Sequence, residues 1–170
     1  MALVYIGLGS NLGDGKKNLT AAWKRLRELP GIKPGRLSRP YITSPVGMES
    51  AQPFTNAVGA FEIEKACLVL LADLLRIEAE LGRDRGKGPD RAVDLDILYY
   101  DDLIVKTPEL TVPHPGIKDR LFVLAPLHEL APDLRNPVYG LTTQEMLAAF
   151  NDAGQKVEQS TWLSGEPPWD

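Results

Sequence analysis

The chain has one cysteine and two histidines in 170 residues. With Cys67 alone there is no intrachain disulfide framework and no Cys/His cluster to hold a structural metal, so a reducing, cytoplasmic setting is expected. Positive charge is also in deficit. Nineteen Lys and Arg against 23 Asp and Glu give a formal net charge of -4 and a pI near 5.3, which argues against the broad basic face that nucleic acid or an anionic membrane requires. No apolar run approaches the roughly 20 residues that span a bilayer. The opening Met1-Ala2-Leu3-Val4-Tyr5-Ile6 carries no charged leader. The two common nucleotide-binding fingerprints are missing as well. Gly7-Leu8-Gly9-Ser10-Asn11-Leu12-Gly13 places its third glycine too late for a dinucleotide loop, and Gly15-Lys16-Lys17 lacks the earlier glycine and the Ser/Thr of a P-loop. If the chain binds ATP, it does so on another architecture.

What is present is the composition of one ordinary domain, 44% hydrophobic and 25% charged, long enough to bury a proper core. Residues 1–160 are expected to form that domain and 161–170 a tail. Leu3 to Leu8 reads as a buried strand ending in Gly9-Ser10-Asn11. From Lys16 to Leu29 the residues Leu19, Ala22, Trp23, Leu26 and Leu29 recur at helical spacing, and Pro30-Gly31 stops them. One strand is expected over Ile32 to Tyr41 and another over Phe54 to Ile63, with a breaker-rich loop at Pro45 to Pro53 between them. Ala66 to Leu81, with Leu68, Leu71, Leu74, Leu75, Ile77 and Leu81, forms an amphipathic helix that Gly82 ends. Val93 to Tyr100 is the clearest strand, placing Val93, Leu95 and Ile97 on one face and Asp94, Asp96 and Leu98 on the other. The order βαββαβ predicts an α/β (α+β) ferredoxin-like core, an antiparallel sheet with helices on one side. Helical pieces at Leu121 to Leu130 and Thr142 to Phe150 would add to it, and Ser164 to Asp170 reads as a loose end.

The chemistry concentrates between Arg83 and Phe122. The loop Arg83-Asp84-Arg85-Gly86-Lys87-Gly88-Pro89-Asp90-Arg91 puts four cations on a backbone with two glycines, in a chain that is negative overall. An anionic ligand suits such a loop, although exposed cation clusters are also common without one. Asp94 and Asp96 share a strand face about 6.6 Å apart, twice the strand rise. At that spacing two carboxylates repel by about 2.5 kcal/mol at an effective dielectric near 20. A hard divalent cation such as magnesium would relieve the strain, and phosphate oxygens would complete its shell; plain solvation or Arg pairing would serve too. His114 is fixed between Pro113 and Pro115. Phe54 and Asn56 share a strand face, an arrangement able to stack and hydrogen-bond a flat heterocycle. Metal and mobile arginines together are what phosphoryl transfer needs. Two rival readings remain beside it: a nucleic-acid module that uses the same loop, which the pI and few aromatics oppose, and a sensor that binds ATP without chemistry, which the Asp pair opposes.

Several segments, taken in order, resemble one enzyme family. They are Tyr5-Ile6-Gly7-Leu8-Gly9-Ser10-Asn11-Leu12-Gly13, Thr43-Ser44-Pro45-Val46-Gly47, Phe54-Thr55-Asn56, Gly82-Arg83, Arg91-Ala92-Val93-Asp94-Leu95-Asp96-Ile97-Leu98, Val112-Pro113-His114-Pro115, and Arg120-Leu121-Phe122-Val123-Leu124 with Pro126-Leu127. Over roughly residues 3–150 the chain resembles the 6-hydroxymethyl-7,8-dihydropterin pyrophosphokinases of folate biosynthesis. The resemblance implies transfer of pyrophosphate from MgATP to the pterin hydroxymethyl group with release of AMP. It implies Asp94 and Asp96 as ligands of two magnesium ions, Phe54 and Phe122 as the aromatic pair around the pterin, and Asn56, Thr43 and Val46 as its polar and backbone partners. It also implies Arg83, Arg85, Arg91, His114 and Arg120 as the phosphate-binding set, and Ile97 and Thr111 as nucleotide contacts. The expected partners are small molecules only, with no nucleic acid and no membrane; a monomer is expected, though no motif sets the oligomeric state. The loop between Arg85 and Arg91 is shorter than in the best-known bacterial members and lacks their Trp, Pro115 stands where some members carry an aromatic, and Phe54 where others carry Tyr. Residues after about 150 have no clear counterpart.

Overall fold

A computed structural model describes residues 1–43, 52–82 and 91–163. Its centre is strand β1 (Ala2–Ser10), flanked by β4 (Phe54–Ile63) and β5 (Asp94–Tyr100), both antiparallel to it. Among the described residues the sheet runs β5-β1-β4-β3-β8, where β3 is Tyr41–Thr43 and β8 is Val157–Gln159; β2 (Ile32–Leu37) also pairs with β4. Helices α1 (Gly15–Arg27) and α2 (Cys67–Glu80) supply the two crossovers of a ferredoxin-like βαββαβ core.

Strand alternation gives the sheet two unlike faces. On one, Ile6 and Leu8 of β1, Ala57 and Phe61 of β4, and Leu95 and Ile97 of β5 pack with Leu19, Trp23 and Leu26 of α1 and Leu70, Leu74 and Ile77 of α2. Trp23 is fully buried, and a Cβ on Gly59 would stand 2.2 Å from its Cζ3, so only glycine lets that ring reach the sheet. Asp14 caps α1 by accepting the Lys17 N–H at 3.2 Å. The stripe that α2 buries is Leu70, Leu74 and Ile77. Leu68 and Leu75, grouped with it by spacing, instead stand exposed at 49% and 46%.

The other face is covered by α3 (Leu121–Leu130) and α4 (Thr143–Ala149), whose Val123, Leu124, Leu127, Leu130 and Met146 pack with Tyr5, Val58 and Leu98. Helices thus cover both faces, the second layer coming from the C-terminal third. The Thr142–Glu145 capping box starts α4, and Arg36 donates to the Leu130 carbonyl at the end of α3.

The single strand expected over Ile32 to Tyr41 is two. Register against β4 shifts between Pro34 and Leu37, the Ser38 N–H donates to the Val58 carbonyl at 2.8 Å while its Oγ accepts the Val58 N–H at 2.9 Å, and Pro40, with no N–H to donate, separates β2 from β3. Two elements had no sequence signal: the ribbon β6 (Val105–Lys106) with β7 (Thr111–Val112), and β8, which extends the sheet beyond β3. Trp162, inside the expected tail, is 5% exposed and donates from Nε1 to the Ser38 carbonyl at 3.2 Å, so the packed chain extends past residue 160. Residues 164–170 of that tail lie outside the described residues. No described helix is long and apolar enough to cross a membrane.

Candidate active site

The register of three strands builds the floor of a cleft. Gly9 of β1 lies opposite Asn56 of β4 and Asp94 of β5; two residues back, Gly7 lies opposite Val58 and Asp96. Cross-strand partners share a face, so these glycines leave a trough between an amide wall and a carboxylate wall. A Cβ on Gly9 would come within 3.0 Å of Asn56 Oδ1 and 4.0 Å of both Phe54 Cδ1 and Asp94 Cβ, the close approach for which strand glycines are used. The resulting cleft has a volume of about 310 Å³.

Around the trough the cleft brings together Thr43, Phe54, Asn56, Arg91, Asp94, Asp96, His114, Arg120 and Phe122 of the expected site. Arg83, Arg85 and Val46 fall outside the described residues. Asn56 is 6% exposed, and its Nδ2 is buried without a hydrogen-bond partner. Such an amide is costly to leave unsatisfied and is served by a ligand acceptor. The two aromatics each carry an arginine: the Arg91 guanidinium lies 5.2 Å from the Phe54 ring centroid and that of Arg120 lies 5.8 Å from Phe122. Arg91 also approaches Asp94, Nε to Oδ2 at 3.5 Å. Its backbone is clasped by Asn11, whose Oδ1 accepts the Arg91 N–H at 2.8 Å and whose N–H donates to the Arg91 carbonyl at 3.0 Å. Arg120 lies against Gly116, where a Cβ would meet its Nε at 2.7 Å.

Electrostatics are set by crowding. Burial, then the neighbouring Asp94 charge, pushes the Asp96 carboxyl up to about 6, against the opposing pull of Arg120. Two crowded hard carboxylates suit magnesium. No group of three or more His, Cys, Asp or Glu that could hold a metal exists among the described residues. His114 is held by its N–H to the Leu98 carbonyl at 3.0 Å, and its Nδ1 accepts the Gly116 N–H at 3.0 Å. That leaves the ring proton on Nε2. Burial first, then Arg120, lowers its pKa, which keeps the imidazole a neutral donor.

Two expected nucleotide contacts are not among the residues that line the cleft. The Ile97 side chain is 3% exposed in the core on the opposite face from Asp96, so a side-chain role at the cleft is ruled out and only its backbone remains for a ligand. Thr111 lies on β7, away from the cleft lining. Sequence reasoning also missed residues. Gly7 and Gly9 were legible in principle, as glycines at strand period opposite the Asp pair. Gln155, Lys156 and Val157 line the cleft as well, from a stretch with no motif.

A ring slot beside paired carboxylates and arginines is the equipment of a transferase that moves phosphate groups onto a small acceptor. The family model described as 7,8-dihydro-6-hydroxymethylpterin-pyrophosphokinase (HPPK) matches residues 5–132. The 2-amino-4-hydroxy-6-hydroxymethyldihydropteridine pyrophosphokinase of Methylorubrum extorquens is 40% identical over 161 residues, spanning 93% of this chain and 100% of the relative. The enzyme of the same name from Pseudomonas aeruginosa is 42% identical over 148 residues, 86% and 90% of the two chains. Among solved structures, wild-type Plasmodium falciparum HPPK-DHPS with pteroate superposes at a TM-score of 0.71 and 12% identity, a likeness of fold that covers 86% of this chain and 44% of that longer one. The chain belongs to the 7,8-dihydro-6-hydroxymethylpterin-pyrophosphokinase family.

Proposed function

We infer that the cleft transfers the terminal pyrophosphoryl group of ATP to the hydroxymethyl oxygen of 6-hydroxymethyl-7,8-dihydropterin in folate biosynthesis. The hydroxymethyl O–H gives up its proton to solvent, a new C–O–P link forms at the β-phosphorus, the bridge to the α-phosphorus breaks, and AMP leaves with that bridging oxygen. The observation that carries this reading is the unpartnered Nδ2 of buried Asn56 beside Phe54, in the same cleft as the Asp94–Asp96 pair. A pterin ring offers acceptors on its edge and a flat π-face for Phe54 and Phe122, with Thr43 beside it and, by the family resemblance, Val46 as a further partner. Its hydroxymethyl group would then face the carboxylates.

Asp94 and Asp96 would hold magnesium, two ions by the family resemblance, which supplies charge neutralisation on the transferring phosphates. Arg91 and Arg120, each lying over one of the slot's rings, connect ring binding to phosphate binding: a bound heterocycle and a bound anion would compete for and reposition the same two guanidiniums. His114 donates from Nε2 to a phosphate oxygen without adding charge. By the family resemblance Arg83 and Arg85 would complete the cationic set. Binding both substrates in one cleft turns a bimolecular encounter into an oriented one and excludes water as a competing acceptor.

The test is incubation with MgATP, with and without the dihydropterin, and chromatography of the nucleotides. AMP together with a pterin pyrophosphate, formed only when pterin is present, is the expected result. ADP would mean transfer of a single phosphoryl group and would overturn the reading.

A further inference from the structure

Part of the cleft wall is unexplained by the transfer chemistry. Gln155 lines it and is bonded there to the start of α3. Its Oε1 accepts the Leu121 N–H at 3.0 Å, while Nε2 donates to the Asp119 carbonyl at 2.9 Å and to Asp152 Oδ2 at 2.9 Å. These partners fix which end of the amide is which: an N–H faces the oxygen, and two acceptors face the nitrogen.

The two contacts to the α3 segment straddle Arg120. Arg120 is the N-cap residue of α3, and its side chain makes no capping hydrogen bond. It lies over Phe122 in the cleft instead. A helix start ordinarily has its free N–H groups met by a local Ser, Thr, Asp or Asn. Here an amide 34 residues away performs that task and leaves the cap side chain free for a ligand.

The segment bearing Gln155 is itself anchored at several points. Asp152 Oδ1 accepts the Gly154 N–H at 3.0 Å, and the Asp152 carbonyl accepts the Gln155 N–H at 3.0 Å. Beyond it, Val157 pairs with Thr43 in the sheet, Lys16 Nζ donates to Ser160 Oγ at 2.8 Å, and Trp162 is buried against Ser38. Gln155 therefore ties the fixed C-terminal strap to the backbone on both sides of Arg120.

We propose that Gln155 is a positioning residue for the transfer reaction, capping α3 from outside and setting the backbone from which Arg120 reaches the cleft. The proposal rests on the reading of the cleft given above. It is tested with Gln155→Ala, Arg120→Ala, their double variant and Gln155→Glu, each assayed for kcat and for KM of ATP and pterin, with Tm recorded beside them. Gln155→Ala should lower kcat/KM by about tenfold or more, the scale of a small misplacement of reacting groups, while Tm shifts by only a few degrees. Because Gln155 acts through Arg120, the double variant should be within about twofold of Arg120→Ala alone. Gln155→Glu keeps the acceptor for the Leu121 N–H but sets its second carboxylate oxygen against the Asp119 carbonyl and Asp152 Oδ2, so it should be impaired like Gln155→Ala and carries the same comparison if Gln155→Ala fails to fold. Full activity of Gln155→Ala beside an impaired Arg120→Ala overturns this proposal alone, as do losses that multiply in the double variant. Full activity of Arg120→Ala overturns the reading of the cleft beneath it.

Discussion

The two faces of the sheet are made from the same three strands and behave as different materials. On the α1–α2 face, Leu8 lies opposite Ala57 and Leu95, and the contacts close over a fully buried Trp23. On the α3 face, one residue along each strand, Gly9 lies opposite Asn56 and Asp94 and the strands line an open cleft. The period of two lets a strand serve stability and chemistry at adjacent positions, with little trade between them. A glycine marks each side for its own reason: Gly59 admits the Trp23 ring, while Gly7 and Gly9 keep a trough open.

That contrast can be broken from either side. The largest effect should come from the open face: Asp96→Ala should reduce kcat on the order of a thousandfold, the several kcal/mol of charge stabilisation a metal site supplies at a phosphoryl centre, with Tm unchanged or raised because one of two repelling carboxylates is gone. Turnover near the wild-type value would sink the metal assignment. From the packed face, Trp23→Ala should cost about 3–5 kcal/mol in urea unfolding, yet leave kcat near normal at temperatures where the variant remains folded. A large kcat loss in the folded variant would show that the faces are coupled. Phe122→Ala, at the rim of the cleft, should raise the pterin KM roughly tenfold through lost ring contact with a smaller change for ATP; equal changes in both would contradict its place beside the heterocycle.

The smallest effect is in the pH dependence of ligand-free stability. The folded state raises the Asp96 carboxyl from 3.8 to about 6, so it favours the protonated form. That contribution is fully present below the unfolded value and is lost as pH rises through about 6. Asp96→Asn escapes this loss. Urea midpoints measured between pH 4.5 and 7.5 should therefore fall for wild type relative to Asp96→Asn over this range; parallel curves would remove the crowding argument. Magnesium-dependent nucleotide binding should weaken in the opposite direction, as pH falls below about 6.

Most of the core architecture was legible because its signals are local. The Leu19–Trp23–Leu26 spacing forms α1, and the alternation from Val93 to Leu98 separates the Asp face from the apolar face. The grouping of residues in the candidate cleft was legible where motif and strand parity agree, as at Asp94, Asp96, Phe54 and Asn56. Parity also shows why the side chain of Ile97 cannot join Asp96, since adjacent strand positions point to opposite faces. What the sequence hid was non-local. Three residues, Val157–Gln159, form a strand only because β3 offers an edge more than a hundred positions earlier, and Gln155 has a task only once α3 is folded beside it. The exposed Leu68 and Leu75 show a further limit, for apolar spacing identifies a helix more readily than it identifies the stripe the helix buries.

The way the sheet ends also bears on self-association. An open strand edge offers unpaired backbone groups to any other strand in solution. At β5 that row is interrupted from outside the sheet: the Leu95 N–H donates to buried Glu78 at 2.7 Å, and the Leu98 carbonyl accepts from His114. At the far end, β8 is three residues long and carries Glu158. Among the described residues, the β5 and β8 edges of the sheet that carries the carboxylates are therefore poorly suited to recruit a foreign strand.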